Sequence, residues 1–146
     1  MIRLTNNNIE VYKEDILQLI NYIIEDKEQS IVKVNDLINS YIDKNNTFIY
    51  GHVKNGKLVS FIWFFTRLFN NTTRLHISYF ATDYAFRGGG LGKELLDTVV
   101  KTAKEQNIFF IDLNVNPNNV EAISLYNKLN FKTEKLLLVK TLEEEG

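Results

Sequence analysis

Residues 85–96, AFRGGGLGKELL, place four glycines (Gly88, Gly89, Gly90 and Gly92) within five positions and then run into leucines at helical spacing. Glycine is the poorest helix former apart from proline, about 1 kcal/mol below alanine per residue. Helix entrances ordinarily use Ser, Thr, Asp or Asn as the cap. Bare backbone at this position therefore calls for another reason. A helix N-terminus carries about four unpaired N–H groups and the positive end of the helix dipole. Glycines remove the side chains that would keep an anion from those N–H groups, and Arg87 adds a positive charge at the mouth. A plain turn needing positive φ is satisfied by one or two glycines. Four favour a cradle for phosphate or pyrophosphate, built from Arg87, Gly88, Gly89, Gly90, Leu91, Gly92 and Lys93.

Working outward, the helix after the loop is predicted to run to about residue 105, with Leu91, Leu95, Leu96, Val99, Val100 and Ala103 on one face. Ahead of the loop come three β-rich runs, TFIYGHV, KLVSFIWFFTRL and TRLHISYFAT, and KNGK between the first two signals a tight hairpin. Residues 9–26 carry Ile9, Tyr12, Ile16, Leu19 and Ile23 at three- and four-residue steps, an amphipathic helix, and a weaker helix is expected over 31–43. Beyond the long helix, FFIDLNV alternates as a strand with Phe109, Ile111, Leu113 and Val115 facing one way. A short helix over 119–128, a last strand near 131–141 and a solvated EEEG tail complete the chain. The expected order is β-α-α-β-β-β-α-β-α-β, an α+β fold with a mixed α/β sheet.

Bulk properties narrow the function. At 146 residues the chain is expected to form one domain over 1–146, and a formal net charge of -1 gives no electrostatic footprint for nucleic acid. The longest strongly apolar run, LVSFIWFF at 58–65, is far short of the roughly 20 residues that span a bilayer. The opening MIRLTNNNIE does not resemble a signal peptide, so a cytoplasmic protein without membrane partners is expected. With no cysteine there is no disulfide, thiolate metal site or cysteine acyl-enzyme. With His52 and His76 as the only histidines, no metal is expected.

Two familiar phosphate motifs fail by position. A P-loop ending in Gly92-Lys93 needs glycine at 87 and Ser or Thr at 94, where Arg87 and Glu94 stand. A G-x-G-x-x-G fingerprint needs a small third residue at 93 or 95, where Lys93 and Leu95 stand. Asp112, at the distance of a ribose-binding acid, falls in the middle of the alternating strand and reads as its outward residue.

The pattern that fits is R-x-x-G-x-G, carried by Arg87, Gly90 and Gly92. With it the sequence resembles the GNAT superfamily of acyl-CoA-dependent N-acyltransferases. A second stretch, NPNNVEAISLYNKLNF at 116–131, is similar to the later family motif N-x-x-A-x-x-x-Y through Asn119, Ala122 and Tyr126, with Phe131 closing it. One helix and one strand separate the two motifs, as in the family, and the likeness covers roughly residues 45–141. Asn118 is the expected cap of the short helix, with Glu121 as its capping-box partner. The family's usual glycine is replaced by Asn130, the next-best residue for a left-handed helix exit.

The resemblance implies a GNAT-like fold and acetyl-CoA as cosubstrate. It places the pyrophosphate on the glycine loop and the pantetheine arm along free backbone of Phe80, Ala81 and Thr82, with Asn119, Ala122 and Tyr126 completing the cofactor-binding set. It implies direct transfer to an amine in a ternary complex. An alkylammonium acceptor with a pKa near 10.4 costs about 4.6 kcal/mol to deprotonate at pH 7, so a base is needed, directly or through water. His76, eleven residues before Arg87, stands where histone-type relatives carry their base and shares strand parity with Ser78, Phe80 and Thr82. Asp83 and water-mediated routes are the alternatives, and a half-buried structural histidine is the non-functional one. Tyr126 is implied as the acid for the leaving thiolate, against a plain core aromatic between Leu125 and Leu129. The acceptor is open between a small-molecule amine and a peptide amine, and assembly is open between monomer and homodimer. A non-catalytic acyl-CoA-binding domain and a mononucleotide-binding module are the competing readings.

Overall fold

Asn55 and Gly56 close a two-residue hairpin with φ of 54° and 78°, the turn whose twist matches paired strands. It joins β2 (Thr47–Lys54) to β3 (Lys57–Phe69). A second such turn uses Asn70 and Asn71, at φ 49° and 65°, to join β3 to β4 (Thr72–Thr82). Asparagine serves because its short polar side chain tolerates the left-handed region better than other non-glycine residues. The computed structural model describes residues 1–24, 26–42, 44 and 46–143. Parts of the expected helices at residues 25 and 43, and the end of the acidic tail at 144–146, lie outside them.

A short β1 (Ile2–Arg3) pairs antiparallel with β2, and β5 (Ile111–Leu113) pairs parallel with β4. The result is one mixed sheet in the order β1-β2-β3-β4-β5. A 3-10 turn (Ile9–Tyr12) leads into α1 (Lys13–Ile20), and α2 (Lys27–Asp36) continues through a π-helical turn over Leu37–Tyr41. After β4 come α3 (Leu91–Glu105), β5 and α4 (Val120–Lys128). The chain divides into two compact units, Met1–Asn114 and Val115–Gly146.

In the first unit the sheet separates two apolar layers. Ile9, Ile16, Leu19, Ile20, Val34 and Leu37 pack with Ile49, Phe61, Trp63 and Ala81. On the other face Leu95, Leu96, Val99 and Ala103 of α3 pack with Ile62, Phe64, Leu75 and Ile77. The predicted face of α3 is therefore its buried face, except that Val100 is exposed.

Several expectations are corrected. The helix expected over 9–26 ends at Ile20, where the last turn tightens through Tyr22 N–H to Leu19 C=O, and Ile23 is exposed. The second helix starts at Lys27 and not near 31, because the Asp26 carboxylate accepts the Glu28 and Gln29 N–H groups as an N-cap. The strand expected over 109–115 is three residues long; Ile111 and Leu113 pack on the α3 side, while Phe109 is exposed.

The second unit is organised by α4. Its N-cap is Asn119, not Asn118: the Asn119 side chain accepts the Ala122 N–H at 3.1 Å, while the Asn118 N–H goes to Asn116 Oδ1 at 2.9 Å. At its far end Asn130 takes the left-handed conformation (φ 67°) predicted for it. Phe131 N–H reaches Tyr126 C=O, Asn130 N–H reaches Asn127 C=O, and the Tyr126 and Phe131 rings meet edge to face at 5.5 Å. Both hydrogen bonds and the apolar contact of a Schellman exit are present. No strand follows α4 among the described residues, so the strand expected over 131–141 is not formed. Within its own unit that segment has no second strand to pair with, and a strand is defined by its partner.

Candidate active site

The helix entrance has the open backbone its sequence implies. Gly90 is the N-cap of α3 at φ 86°, with no side-chain cap, and Glu94 N–H closes the first helical bond to Gly90 C=O. The N–H groups of Leu91, Gly92 and Lys93 precede that bond and so have no helical acceptor. Residues 84–90 and Lys93 are exposed, while Leu91 and Gly92 are half-buried. Gly92 has a different role. A Cβ there would lie 3.1 Å from Phe80 Cζ, so the missing side chain lets α3 sit directly on β4.

Arg87 is fixed at the mouth of this loop. Its Nε donates to Thr82 C=O at 2.9 Å, and its guanidinium lies 3.7 Å from the Tyr84 ring centre and 5.5 Å from that of Tyr22. The two tyrosines meet edge to face at 4.8 Å. Stacking of this kind holds a guanidinium without neutralising it. Tyr22 has no sequence signal as a partner, since it lies far from the loop along the chain.

The β4 edge opens beside this entrance. Pairing with β5 covers Leu75, His76 and Ile77 and then stops, while pairing with β3 continues through Thr82. From Ser78 to Thr82 the outer edge of β4 thus has no strand partner among the described residues. Phe80, Ala81 and Thr82 lie on this stretch, although the Thr82 carbonyl is already taken by Arg87. Bare strand edge offers N–H and C=O groups to an extended amide-bearing ligand, the logic of strand addition.

A bulge shapes the same place. Trp63 pairs with Tyr79 and Phe64 with Ile77, so Ser78 is the extra residue on β4. Ile77 and Phe80 both pack on the α3 side, and Tyr79 and Ala81 on the α1 side. His76 alternates with Ile77 and therefore faces the α1 side. The expected parity of His76 with Phe80 and Thr82 is overturned by this one-residue insertion.

His76 is buried and paired. Its Nδ1 lies 2.6 Å from Asp112 Oδ1, with the Phe65 ring edge-on at 5.3 Å. Asp112 also receives Arg67 at 3.2 Å and lies 3.6 Å from Arg74. It is a largely buried ion-pair centre and not the outward residue expected. An imidazole whose Nδ1 is held by a carboxylate keeps Nε2 as its second functional nitrogen. Asp83 is differently committed: one oxygen accepts Ala85 N–H at 3.0 Å and the other lies 3.7 Å from Lys57 Nζ.

In the second unit Asn119 is the α4 cap, and Tyr126 stands on α4 with its ring against Phe131. Ala122 supplies the N–H that Asn119 binds. Burial pushes the Tyr126 phenol above its ordinary value, so it carries its proton at neutral pH and can serve there as an acid but not as a base.

One constellation was missed altogether. His52 on β2, opposite Ser60 on β3, places Nδ1 2.6 Å from Ser60 Oγ and Nε2 2.7 Å from Glu94 Oε2 on the first turns of α3. His52 and Ser60 are buried, whereas the Glu94 side chain is 62% exposed. Hydrogen bonding and charge from His52 hold the Glu94 carboxyl below its ordinary value. The contact joins residues 42 apart in sequence, and no local spacing announces it.

Among the described residues there is no cluster of His, Asp and Glu able to hold a metal, and no helix long and apolar enough to cross a membrane. Comparison with known proteins is consistent with this geometry. The model of the acetyltransferase (GNAT) family matches residues 13–131. No curated protein matches the sequence. Among solved structures, an aminoglycoside acetyltransferase from an uncultured soil metagenomic sample superposes with a TM-score of 0.74 at 16% identity, covering 97% of each chain. A ribosomal-protein-alanine N-acetyltransferase from Brucella melitensis biovar Abortus 2308 gives 0.72 at 15% identity, covering 97% of this chain and 98% of that one. An integron cassette protein from the mobile metagenome of V. cholerae gives 0.76 at 14%, covering 99% and 91%. At these identities the likeness is one of fold.

Proposed function

The chain belongs to the GNAT acetyltransferase family and is an N-acetyltransferase, and from that premise we propose that it transfers acetyl from acetyl-CoA to a primary amine, directly and in a ternary complex. The observation that carries the proposal is the junction of two open backbone surfaces: the uncapped α3 entrance at Gly90 and the unpaired β4 edge from Ser78 to Thr82. They suit the two halves of such a cosubstrate. The N–H groups of Leu91, Gly92 and Lys93, with the Arg87 and Lys93 charges, fit a pyrophosphate. The Phe80–Thr82 edge fits the amides of a pantetheine arm. When bound, acetyl-CoA supplies an activated acyl carbon on a good leaving group.

The chain's own groups then have separable tasks. His76, oriented through Nδ1 by Asp112, is the base we assign, taking the ammonium proton at Nε2 directly or through water. It stands two residues before Ser78, where β4 departs from β5. Asp83 is the weaker candidate, because both its oxygens are engaged. Tyr126, protonated at neutral pH, is the acid assigned to the departing thiolate. With no cysteine in the chain, a thioester to the protein is not part of the route. We also read residues 1–146 as one N-acetyltransferase domain, since the family match runs without a break across the junction at Asn114 and Val115.

The acceptor class stays at the level of an amine, because two structural neighbours bear the names of enzymes for an aminoglycoside and for a ribosomal protein. The test is a panel of small amines, aminoglycosides and peptides with free N-termini, scored for amine-dependent release of CoA thiol and for gain of one acetyl group by mass. Acceptor-dependent turnover is expected for at least one class. Tight acetyl-CoA binding with no turnover on any amine would identify a binding domain in place of an enzyme.

A further inference from the structure

His52, Ser60 and Glu94 lie under the entrance of α3, and the acetyl-transfer chemistry uses none of them. Their arrangement is specific. Ser60 is fully buried and His52 nearly so, and the imidazole is bonded at both nitrogens. A bulge positions them: Val53 pairs with Leu58 and His52 with Ser60, leaving Val59 as the extra residue. Ionised Glu94 can only accept, so Nε2 of His52 carries the hydrogen between them. Nδ1 then accepts from the Ser60 hydroxyl in the neutral imidazole and donates to Ser60 Oγ in the imidazolium, so the ring orientation is held in either form.

Glu94 is the residue this relay restrains, and its position gives the restraint a purpose. It is the fourth residue of α3, in the same first turn as the uncapped N–H groups of Leu91, Gly92 and Lys93. Carboxylates are drawn to such donors by hydrogen bonding and by the helix dipole. Left free, an exposed glutamate there competes with an incoming phosphate and repels it. Lys54 and the Met1 ammonium also bear on Glu94, but neither bonds it as His52 does.

We propose that His52, braced by Ser60, is a positioning residue for acetyl-CoA binding: it pins the Glu94 carboxylate to the sheet and keeps the α3 N-terminal donors clear for the cosubstrate phosphates. The inference rests on the acetyl-CoA reading of the same loop. It makes a prediction that a merely structural role does not, namely that loss of His52 is repaired by also neutralising Glu94.

The experiment measures acetyl-CoA affinity by calorimetry, with KM and kcat, for wild type, His52→Ala, His52→Gln, Glu94→Gln and the double variant His52→Ala/Glu94→Gln. We expect His52→Ala to raise KM for acetyl-CoA about tenfold, the scale of a charge set against a helix terminus, with kcat unchanged. The double variant returns to within about twofold of wild type, and His52→Gln, which can still donate to Glu94, is intermediate. Glu94→Gln alone binds at least as tightly as wild type, which keeps the idea testable if His52→Ala fails to fold. A double variant as weak as His52→Ala, wild-type affinity in His52→Ala, or loss of affinity in Glu94→Gln each overturns the proposal while leaving the acetyltransferase reading intact. Failure of the wild-type protein to bind acetyl-CoA overturns both.

Discussion

At the scale of single residues, the glycine loop divides into positions with different reasons for glycine. Gly92 is needed for contact, since α3 rests on Phe80 there, whereas Gly90 is needed for conformation, as a left-handed N-cap. Gly90→Val should therefore have two effects. The left-handed backbone costs a residue with a Cβ about 1–2 kcal/mol, visible as a lowered melting temperature. The side chain also screens the helix donors, so calorimetry should find acetyl-CoA affinity largely lost in protein that is still folded. For Tyr126, removing only the hydroxyl keeps the ring on Phe131. Tyr126→Phe is expected to lower kcat by ten- to a thousandfold, about 1.4 to 4 kcal/mol, with melting temperature and acetyl-CoA affinity little changed. Wild-type turnover, with the chemical step shown to be limiting, would make Tyr126 a packing residue. His76→Ala should lower kcat/KM by about two orders of magnitude at unchanged acetyl-CoA affinity, and a near-normal rate would leave His76 as an ion-pair residue beside Asp112.

At the scale of elements, the entrance of α3 has a measurable dependence on pH. The Glu94 carboxyl is held below its ordinary value by the hydrogen bond and charge of His52. A carboxyl with a depressed folded-state pKa adds stability that is present above its unfolded value, near 4.3, and is lost as pH falls through the folded value. The difference in melting temperature between wild type and Glu94→Gln should accordingly be present at about pH 5 and shrink as pH falls below about 4.3. A difference that persists to the most acidic pH at which the protein folds would show that the bond does not depend on ionised Glu94.

What could be read from the sequence also divides by element. The Asn55-Gly56 hairpin, the buried face of α3 and the left-handed exit at Asn130 are local features, and each follows from residue types close together along the chain. The Asp26 cap is equally local but lies within the longer apolar periodicity of residues 9–26. The parity of His76 failed because a single inserted residue at Ser78 exchanges the faces of everything before it. Pairings such as His52 with Glu94 and Arg87 with Tyr22 had no sequence signal, because each depends on where the sheet brings distant segments.

At the scale of the whole molecule, the sheet of the first unit gives the glycine loop and the strand edge of the proposed site separate supports. β3 and β4 pair almost throughout, so the unpaired edge beyond Ile77 comes from the early end of β5 and not from a frayed β4. α3 is anchored along its length by Leu95, Leu96, Val99 and Ala103, which leaves its first turn to serve a ligand. The central claim is that this first turn and this edge hold acetyl-CoA. It is tested most directly by calorimetric titration of the 146-residue chain with acetyl-CoA, in wild type and Gly90→Val side by side. The account predicts saturable binding of one acetyl-CoA per chain by the wild type and none by folded Gly90→Val at the same concentrations; equal binding by the two, or none by either, would contradict it.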